Sequence, residues 1–530
     1  MAGGIMPTVQ TETDQKHILW ADDEIELLRP HIIFLKERGY DVDPVTNGDD
    51  AIAAVKKQRP DVVLLDEMMP GKDGLATLQA IKDINPHIPV IMITKNEEER
   101  LMEQALGHRI DDYLTKPVNP SQILLACKKL LDAKQIQKDR LGQDYVAASN
   151  RLREQVAVAQ SWQDWTDIHV RCSEWDLQLD QVRDPGLSQM HKDLRMSCNK
   201  EFGKFVEEHY ARWIQDEEDS PLLSVDIVSE FVAPPLLEGR QVFFVVVDCM
   251  RLDHWMAIQP LLAEHFNIQQ NYHYSILPTA TPYSRNAIFS GLFPCDVAKL
   301  YPDEWKRARD DERSRNRHEH QLMDRQLAEI DPTLHMETRY VKVLDIAEGN
   351  HMVKKVHSYR AFPLMSVVFN FLDMLTHGRS ESEILKEMAP DESAFRSLTR
   401  SWFAHSSLYE MLIKLSQTDS VVVLTTDHGC VMGSHATVAY GNRDTSTNLR
   451  FKFGKSLRTD PKYAVHLKDP DNFGLPTVGA GTNFIFAKED YYFVYPTKFN
   501  EHQRQFANSF QHGGISLEEM ILPVAVMEGK

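Results

Sequence analysis

The sequence predicts an α/β chain in three parts: five β–α units in front, a helical connector, and a larger α/β domain at the C-terminal end. Three observations predict it. Short apolar runs alternate with helical patterns up to residue 133, which implies a parallel sheet with helices on both faces. From residue 134 onward, Trp, Leu and Val recur at helical spacing among Gln, Glu, Asp, Lys and Arg. Two continuous apolar runs, Gln241–Val247 and Val421–Leu424, then read as buried parallel strands.

In the front part, His17–Ala21, Val62–Leu65 and Val90–Ile93 are β-rich runs that end in polar residues, with further strands near Val42 and around Tyr113. Glu24–Arg38, Asp49–Gln58, Leu75–Ile84 and Ser121–Ala133 read as helices between and after them. Residues 1–15 read as a disordered leader, 16–133 as the first domain, and 134–235 as a long helix followed by a small helical bundle. Pro234, Pro235 and Gly239 mark the entry to the last domain, residues 236–530. Within it, the densely charged segment Trp305–Arg325 reads as solvated surface.

Composition narrows the function classes. Hydrophobic residues make up 42% and charged residues 26%, as in ordinary globular chains. A net charge of −19 argues against a broad footprint for duplex nucleic acid. Six cysteines, none in a C-x-x-C pair, point to a reducing compartment and against a cysteine-rich metal site. No run approaches the roughly 20 apolar residues that span a bilayer, and Met1–Gln15 lacks the apolar core of a signal peptide. A cytoplasmic location is expected.

Asp22 and Asp23 end the first strand, Asp66 the third and Thr94 the fourth, and Lys116 follows the fifth, so all converge on one sheet edge. Three close carboxylates repel one another, and Mg²⁺ with oxygen ligands relieves that. The ion also neutralises an incoming phosphoryl group, which lets a carboxylate act as nucleophile. With the run Asp66-Glu67-Met68-Met69-Pro70-Gly71-Lys72-Asp73-Gly74 and Tyr113-Leu114-Thr115-Lys116-Pro117, this part resembles the flavodoxin-like (βα)5 receiver domain of two-component response regulators. The resemblance implies Asp66 as phosphoacceptor, Mg²⁺ held by Asp22, Asp23 and Asp66, Lys116 on the phosphoryl oxygens, and Thr94 with Tyr113 as the switch pair. Lys95 stands where receivers carry a small residue, which bears on the lifetime of the phosphoryl group.

The last domain supplies zinc-type ligands scattered along the chain. Asp248 follows one apolar run, and Asp427-His428-Gly429 follows the other. Asp373 and His377 lie four apart in the helical run Phe369–His377, so they share a face. His512 precedes Gly513-Gly514, with Glu518-Glu519 beyond. Two metals a few Å apart suit displacement at phosphorus, and coordination lowers a threonine hydroxyl's pKa. Together with Leu277-Pro278-Thr279-Ala280-Thr281-Pro282-Tyr283-Ser284-Arg285, the set resembles the PglZ branch of the alkaline phosphatase superfamily. The resemblance implies two zinc ions, one held by Asp248, Thr281, Asp427 and His428 and the other by Asp373, His377 and His512. Thr281, in register with the nucleophile-x-x-Ser-Arg pattern of related sulfatases, is preferred to Thr279 as nucleophile, and Arg285 is expected to stabilise charge near it. His435 is a weaker additional candidate.

A receiver, helical connector and PglZ domain in this order are similar to the PorX-type regulators of the type IX secretion system. That similarity implies a partner sensor histidine kinase, a homodimer on phosphorylation, and a sigma factor or secretion-machinery component downstream. It also implies a zinc-dependent phosphodiesterase that attacks through Thr281 and forms a phosphothreonine. No Lys or Arg pair in the sequence is assignable to grip a dianionic monoester, so nucleotide phosphodiesters, linear or cyclic oligonucleotides, are the expected substrates. The competing expectation is a metal-stabilised docking module with little turnover. No helix-turn-helix or basic patch is visible, so duplex DNA binding is not expected.

Overall fold

The computed structural model describes residues 16–95, 110–182, 184–215, 219–305, 316–442, 446, 448–477, 479–497 and 499–530. The chain divides into two compact units, Met1–Asp144 and Tyr145–Lys530.

The first unit holds β1 (His17–Ala21), β2 (Asp41–Val45), β3 (Val62–Asp66), β4 (Val90–Thr94) and β5 (Asp112–Thr115), with α1 (Arg29–Lys36), α2 (Gly48–Gln58) and α3 (Gly74–Ile84). The sheet is parallel in the order β2-β1-β3-β4-β5, that of flavodoxin-like folds. Strand alternation explains why its central strands are apolar throughout. Ile18, Trp20, Leu64 and Ile91 enter one core, while Leu19, Val63, Leu65 and Met92 enter the core on the opposite face. Asn47 caps α2 through Asp50 N–H, and Asp73 caps α3 through Ala76 N–H. The fourth helix of a (βα)5 domain would fall within residues 96–109, outside the described residues.

The helix expected at Ser121–Ala133 is longer: α4 runs Pro120–Val158, and the division between units falls within it. After Pro120 no proline interrupts it and its residues are mostly good helix formers, so nothing local stops it. The two helices that follow, α5 (Trp162–Val182) and α6 (Pro185–Ile214), are not a loose spacer. Their Trp165, Ile168, Cys198, Phe202 and Tyr210 share one core with Val242, Phe244 and Val246 of the C-terminal sheet. No helix among the described residues is long and apolar enough to cross a membrane.

That sheet contains β6 (Val242–Val247), β7 (Phe266–Tyr274), β8 (Thr338–Val343), β9 (Leu364–Phe369), β10 (Val421–Thr425) and β11 (Ile521–Gly529), ordered β7-β11-β10-β6-β9-β8. β10, β6, β9 and β8 are parallel, and β11 is antiparallel to both neighbours. On one face lie α7 (Leu252–Ala263) and the core of Phe243, Val245 and Val247; on the other lies α8 (Thr281–Ser290) with Phe244 and Val246. Val246 pairs with Thr425, and Val247 with Phe369. Asp248, Asn370 and Asp427 therefore leave the sheet side by side at its carboxyl edge. Three further helices matter for the site: α9 (Glu319–Ile330), α10 (Phe371–Glu381) and α11 (Glu392–Ala404). α10 starts later than the expected run because Phe369 is still the last pair of β9.

Candidate metal centre

In the first unit, Asp22, Asp23 and Asp66 offer oxygens within 4.8 Å of one another. Lys116 Nζ lies 2.9 Å from Asp66 Oδ1 and 3.0 Å from Asp22 Oδ2. Burial raises the proton affinity of Asp66; Lys116 works against this, while Asp22 and Asp23 add to it. A buried carboxylate between two others is the setting a hard cation relieves, and the all-oxygen set fits Mg²⁺. Thr94 is buried at the end of β4, Tyr113 is half-buried on β5, and Lys95 is exposed. Gly74 is required sterically, since a Cβ there would sit 2.4 Å from the Asp66 carbonyl oxygen.

In the second unit the structure brings Asp248, Thr281, Asp373, His377, Asp427, His428 and His512 to one edge, and in Asp248, Asp427, His428 and His512 one side-chain atom is held while another points inward. Asp248 Oδ2 accepts from Arg285 Nη1 at 2.5 Å and Asn370 Nδ2 at 2.7 Å. Its Oδ1 faces Thr281 Oγ1 at 3.4 Å and His428 Nε2 at 3.6 Å. Asp427 Oδ1 accepts from the backbone N–H of Cys249 and of His428, which leaves Oδ2 buried without a hydrogen bond. His428 Nδ1 is 3.0 Å from the Gly429 carbonyl oxygen, so that nitrogen donates and Nε2, 3.0 Å from Thr281 Oγ1, is free to ligate. His512 Nδ1 meets the Thr279 carbonyl oxygen at 3.3 Å in the same way. His512 Nε2 then lies 3.2 Å from His377 Nε2, and the two are 3.7 and 3.4 Å from Asp373 Oδ1. That Asp373 oxygen is the second buried carboxylate oxygen with no hydrogen bond.

These orphaned oxygens are the test of whether a cation fits. Burial and the neighbouring Asp427 charge push Asp248 up to about 8, with Arg285 opposing, and burial raises Asp427 too. Two desolvated carboxylates without sufficient positive charge are costly. Carboxylate oxygens and imidazole Nε2 atoms already aimed at common points are a donor set suited to zinc-type ions.

Thr281 is the first residue of α8, with Pro282 next, where a missing N–H costs nothing. Thr279 is buried and its hydroxyl donates to the Gly514 carbonyl and accepts from Gly513 N–H, so it is occupied in the backbone. Arg285 is not a free cation beside Thr281: it is fully buried, with Nε 2.6 Å from Glu319 Oε1 and Nη1 on Asp248. His435 stays out of the cluster, 2.9 Å from Asp490. Glu518 and Glu519 engage Arg195 and Arg450 instead.

The described end of the charged Trp305–Arg325 segment is not solvated surface. Glu319 is fully buried, and Asn316 donates to it at 2.7 Å and to the Thr281 carbonyl oxygen at 3.3 Å. Glu319 also accepts from the Tyr340 hydroxyl. Asn316, Glu319, Tyr340 and Asn370 are thus supporting residues that sequence reasoning missed; the hydrophobic positions around Glu319 (Leu322, Met323 and Leu327, buried on the same helix) were the available signal.

Residues 227–527 match the family described as the BREX system PglZ alkaline phosphatase-like domain, more than half of the chain. The chain belongs to the PglZ family. Residues 18–128 match the response regulator receiver domain and residues 135–214 the PorX response regulator linker domain. The protein thus joins a receiver, a PorX linker and a PglZ domain. The receiver is 37% identical over 120 residues to the transcriptional regulatory protein ResD of Bacillus subtilis (strain 168), covering 23% of this chain and 50% of that protein. It is 34% identical over 118 residues to the phosphate regulon transcriptional regulatory protein PhoB of Pseudomonas aeruginosa, covering 22% and 52%. The chain spans about half the length of the curated relatives it matches. Among solved structures it is similar to the chemotaxis protein CheY4 of Vibrio cholerae (27% identity, TM-score 0.21, 22% of this chain and 99% of that chain).

Proposed function

We propose that this protein is a two-component response regulator whose PglZ domain is a zinc-dependent phosphodiesterase acting on nucleotide phosphodiesters through Thr281. The observation that carries the reading is the placement of the Thr281 hydroxyl, 3.0 Å from His428 Nε2 and 3.4 Å from Asp248 Oδ1, at the N-terminus of a helix. Asp248, Asp427 and His428 with Thr281 would hold one divalent ion and Asp373, His377 and His512 the other; bound, the pair supplies charge neutralisation and lowers the pKa of hydroxyl and water.

The chain's own residues orient the reaction. Arg285 and Asn370 fix Asp248 so that Oδ1 faces the attacking oxygen. His428 is held in one tautomer by the Gly429 carbonyl, as His512 is by that of Thr279. The first turn of α8 places the attacking oxygen at the positive end of a helix, where phosphoryl charge is favoured. Attack by Thr281 Oγ1 on phosphorus would form a Thr–O–P bond as the bond to one ester oxygen breaks. That oxygen leaves as an alcohol with the proton given up by the threonine, and water then cleaves the Thr–O–P bond, restoring the hydroxyl and releasing a phosphomonoester. With Arg285 engaged by carboxylates, no pair of cations among the described residues is placed to grip a dianionic monoester, which favours a diester.

Upstream, Asp66 accepts a phosphoryl group from a sensor histidine kinase, Thr94 and Tyr113 respond, and the receiver dimerises. The PorX linker supports a place in type IX secretion, acting on a sigma factor or a secretion component. The test is zinc content together with hydrolysis of bis-p-nitrophenyl phosphate by the wild type, Thr281→Val and Asp427→Ala. About two zinc ions per chain with activity lost in both variants is expected. A folded, zinc-loaded wild type without turnover would sink the enzyme reading in favour of a docking module.

A further inference from the structure

On the edge strand β8, Val341 and Val343 turn toward the core on the α7 side, while Tyr340 packs on the α8 side. Alternation puts Lys342 on the Tyr340 face, one residue pair nearer the strand's carboxyl end. Its partner across the ladder is Val368, just before the turn that carries Asn370 and Asp373. Tyr340 contacts Glu319, Glu319 contacts Arg285, and Arg285 contacts Asp248, so this face leads to the metal centre. Lys342 is half-buried, and among the described residues it makes no hydrogen bond or ion pair. Burial and Arg285 lower its proton affinity while Glu319, Asp248 and Asp427 hold it up.

The charges around it leave Lys342 in a distinct position. With the threonine deprotonated, Asp248, Asp373, Asp427 and Thr281 would carry four negative charges, which two divalent ions would match. Glu319 and Arg285 neutralise each other at 2.6 Å. A long side chain on this face, with no hydrogen bond or ion pair among the described residues, is available to an anionic partner that arrives from outside. A phosphodiester brings one negative charge.

We propose that Lys342 is a substrate-binding residue of the PglZ domain, its ammonium donating to a non-bridging oxygen of the bound phosphodiester. The inference rests on the phosphodiesterase reading above and adds the group that recognises the phosphate. One cation also matches a diester better than a monoester, whose second charge would have no partner.

The experiment compares zinc-loaded wild type, Lys342→Gln and Lys342→Arg. Zinc content and thermal unfolding come first, then KM and kcat on bis-p-nitrophenyl phosphate, then calorimetric binding of inorganic phosphate. We expect unchanged zinc, a KM raised and phosphate binding weakened about 10-fold or more in Lys342→Gln, and substantial recovery in Lys342→Arg. Wild-type turnover with an unaltered KM and phosphate affinity in Lys342→Gln would overturn the assignment while leaving the enzyme reading intact. Phosphate binding that depends on Lys342 in a wild type that turns nothing over would leave Lys342 as the anion-binding group and remove the catalytic reading. Zinc lost from Lys342→Gln but kept in Lys342→Arg would mean that Lys342 supports the metal centre rather than the substrate, and would overturn the proposal.

Discussion

Replacing Arg195 with Met tests how the helices read as a connector are held to the C-terminal sheet. From α6 the guanidinium donates to Glu518 Oε1 at 3.0 Å, to Glu392 at 2.9 and 3.1 Å, and to Asp176 at 3.2 Å. Arg251 and Arg396 complete the cluster: Arg251 holds Glu392 at 2.5 Å and Asp253 at 2.7 Å, and Arg396 holds Asp253 at 3.0 Å. Arg195→Met keeps most of the volume but leaves Glu518, buried, with only the Asn199 amide at 2.9 Å as a side-chain donor. Removing one partner of a buried ion pair costs about 3–5 kcal/mol, mainly the desolvation of the charge left behind. Urea unfolding at pH 7, followed by far-UV circular dichroism, should show a loss in that range. Adding Glu518→Gln removes the stranded charge and should restore at least about 1 kcal/mol, which separates charge from packing. A loss below about 1 kcal/mol in Arg195→Met, or no recovery in the double variant, would refute the claim that this cluster is a tightly coupled ionic core.

Three further outcomes follow from the same geometry. Burial opposes the ionisation of Glu392, but Arg195 and Arg251 outweigh it and hold the carboxyl down at about 2; because the folded value is depressed, its contribution is complete above about pH 4.5 and lost as pH falls toward 2, at most about 3 kcal/mol. Unfolding measured at pH 5 and pH 3 should show roughly half of that loss, about 2 kcal/mol, and Glu392→Gln should flatten it. Gly429→Ala would put a Cβ 1.9 Å from the Glu518 carbonyl oxygen, which is backbone and cannot rotate away; the turn carrying Asp427 and His428 must shift, so zinc content should fall before the fold is lost on heating. Glu319→Gln removes the negative partner of Arg285 and loosens its hold on Asp248; diesterase kcat/KM and zinc affinity should each drop about 10- to 100-fold, the usual effect of losing a residue that orients a ligand.

Several residues of the candidate site were legible because they follow a local rule, while Thr281, His428 and His512 rested on the resemblance to the PglZ branch. A buried parallel strand is a run of apolar residues, and the polar residues just after it fall at the sheet's carboxyl edge; Asp66, Asp248 and Asp427 were found that way. Asp373 and His377 were found because four residues bring side chains to one helix face. The residues that orient those ligands obey no such rule. Arg195 meets Glu518 across 323 residues of chain, and Glu319 meets Arg285 from inside a segment whose charge density reads as surface. Burial reverses the meaning of a charged residue: Glu319 looks solvated in sequence because carboxylates usually are, and is buried because Arg285, Asn316 and Tyr340 satisfy it. The same reversal changes what Arg285 can do. In sequence it stands at the position of a charge-stabilising arginine, but a guanidinium already held by Glu319 and Asp248 cannot also leave them for a phosphate without stranding two buried carboxylates. Its contribution is to the direction of Asp248, and the Lys342 variants test whether β8 supplies the positive charge that meets substrate.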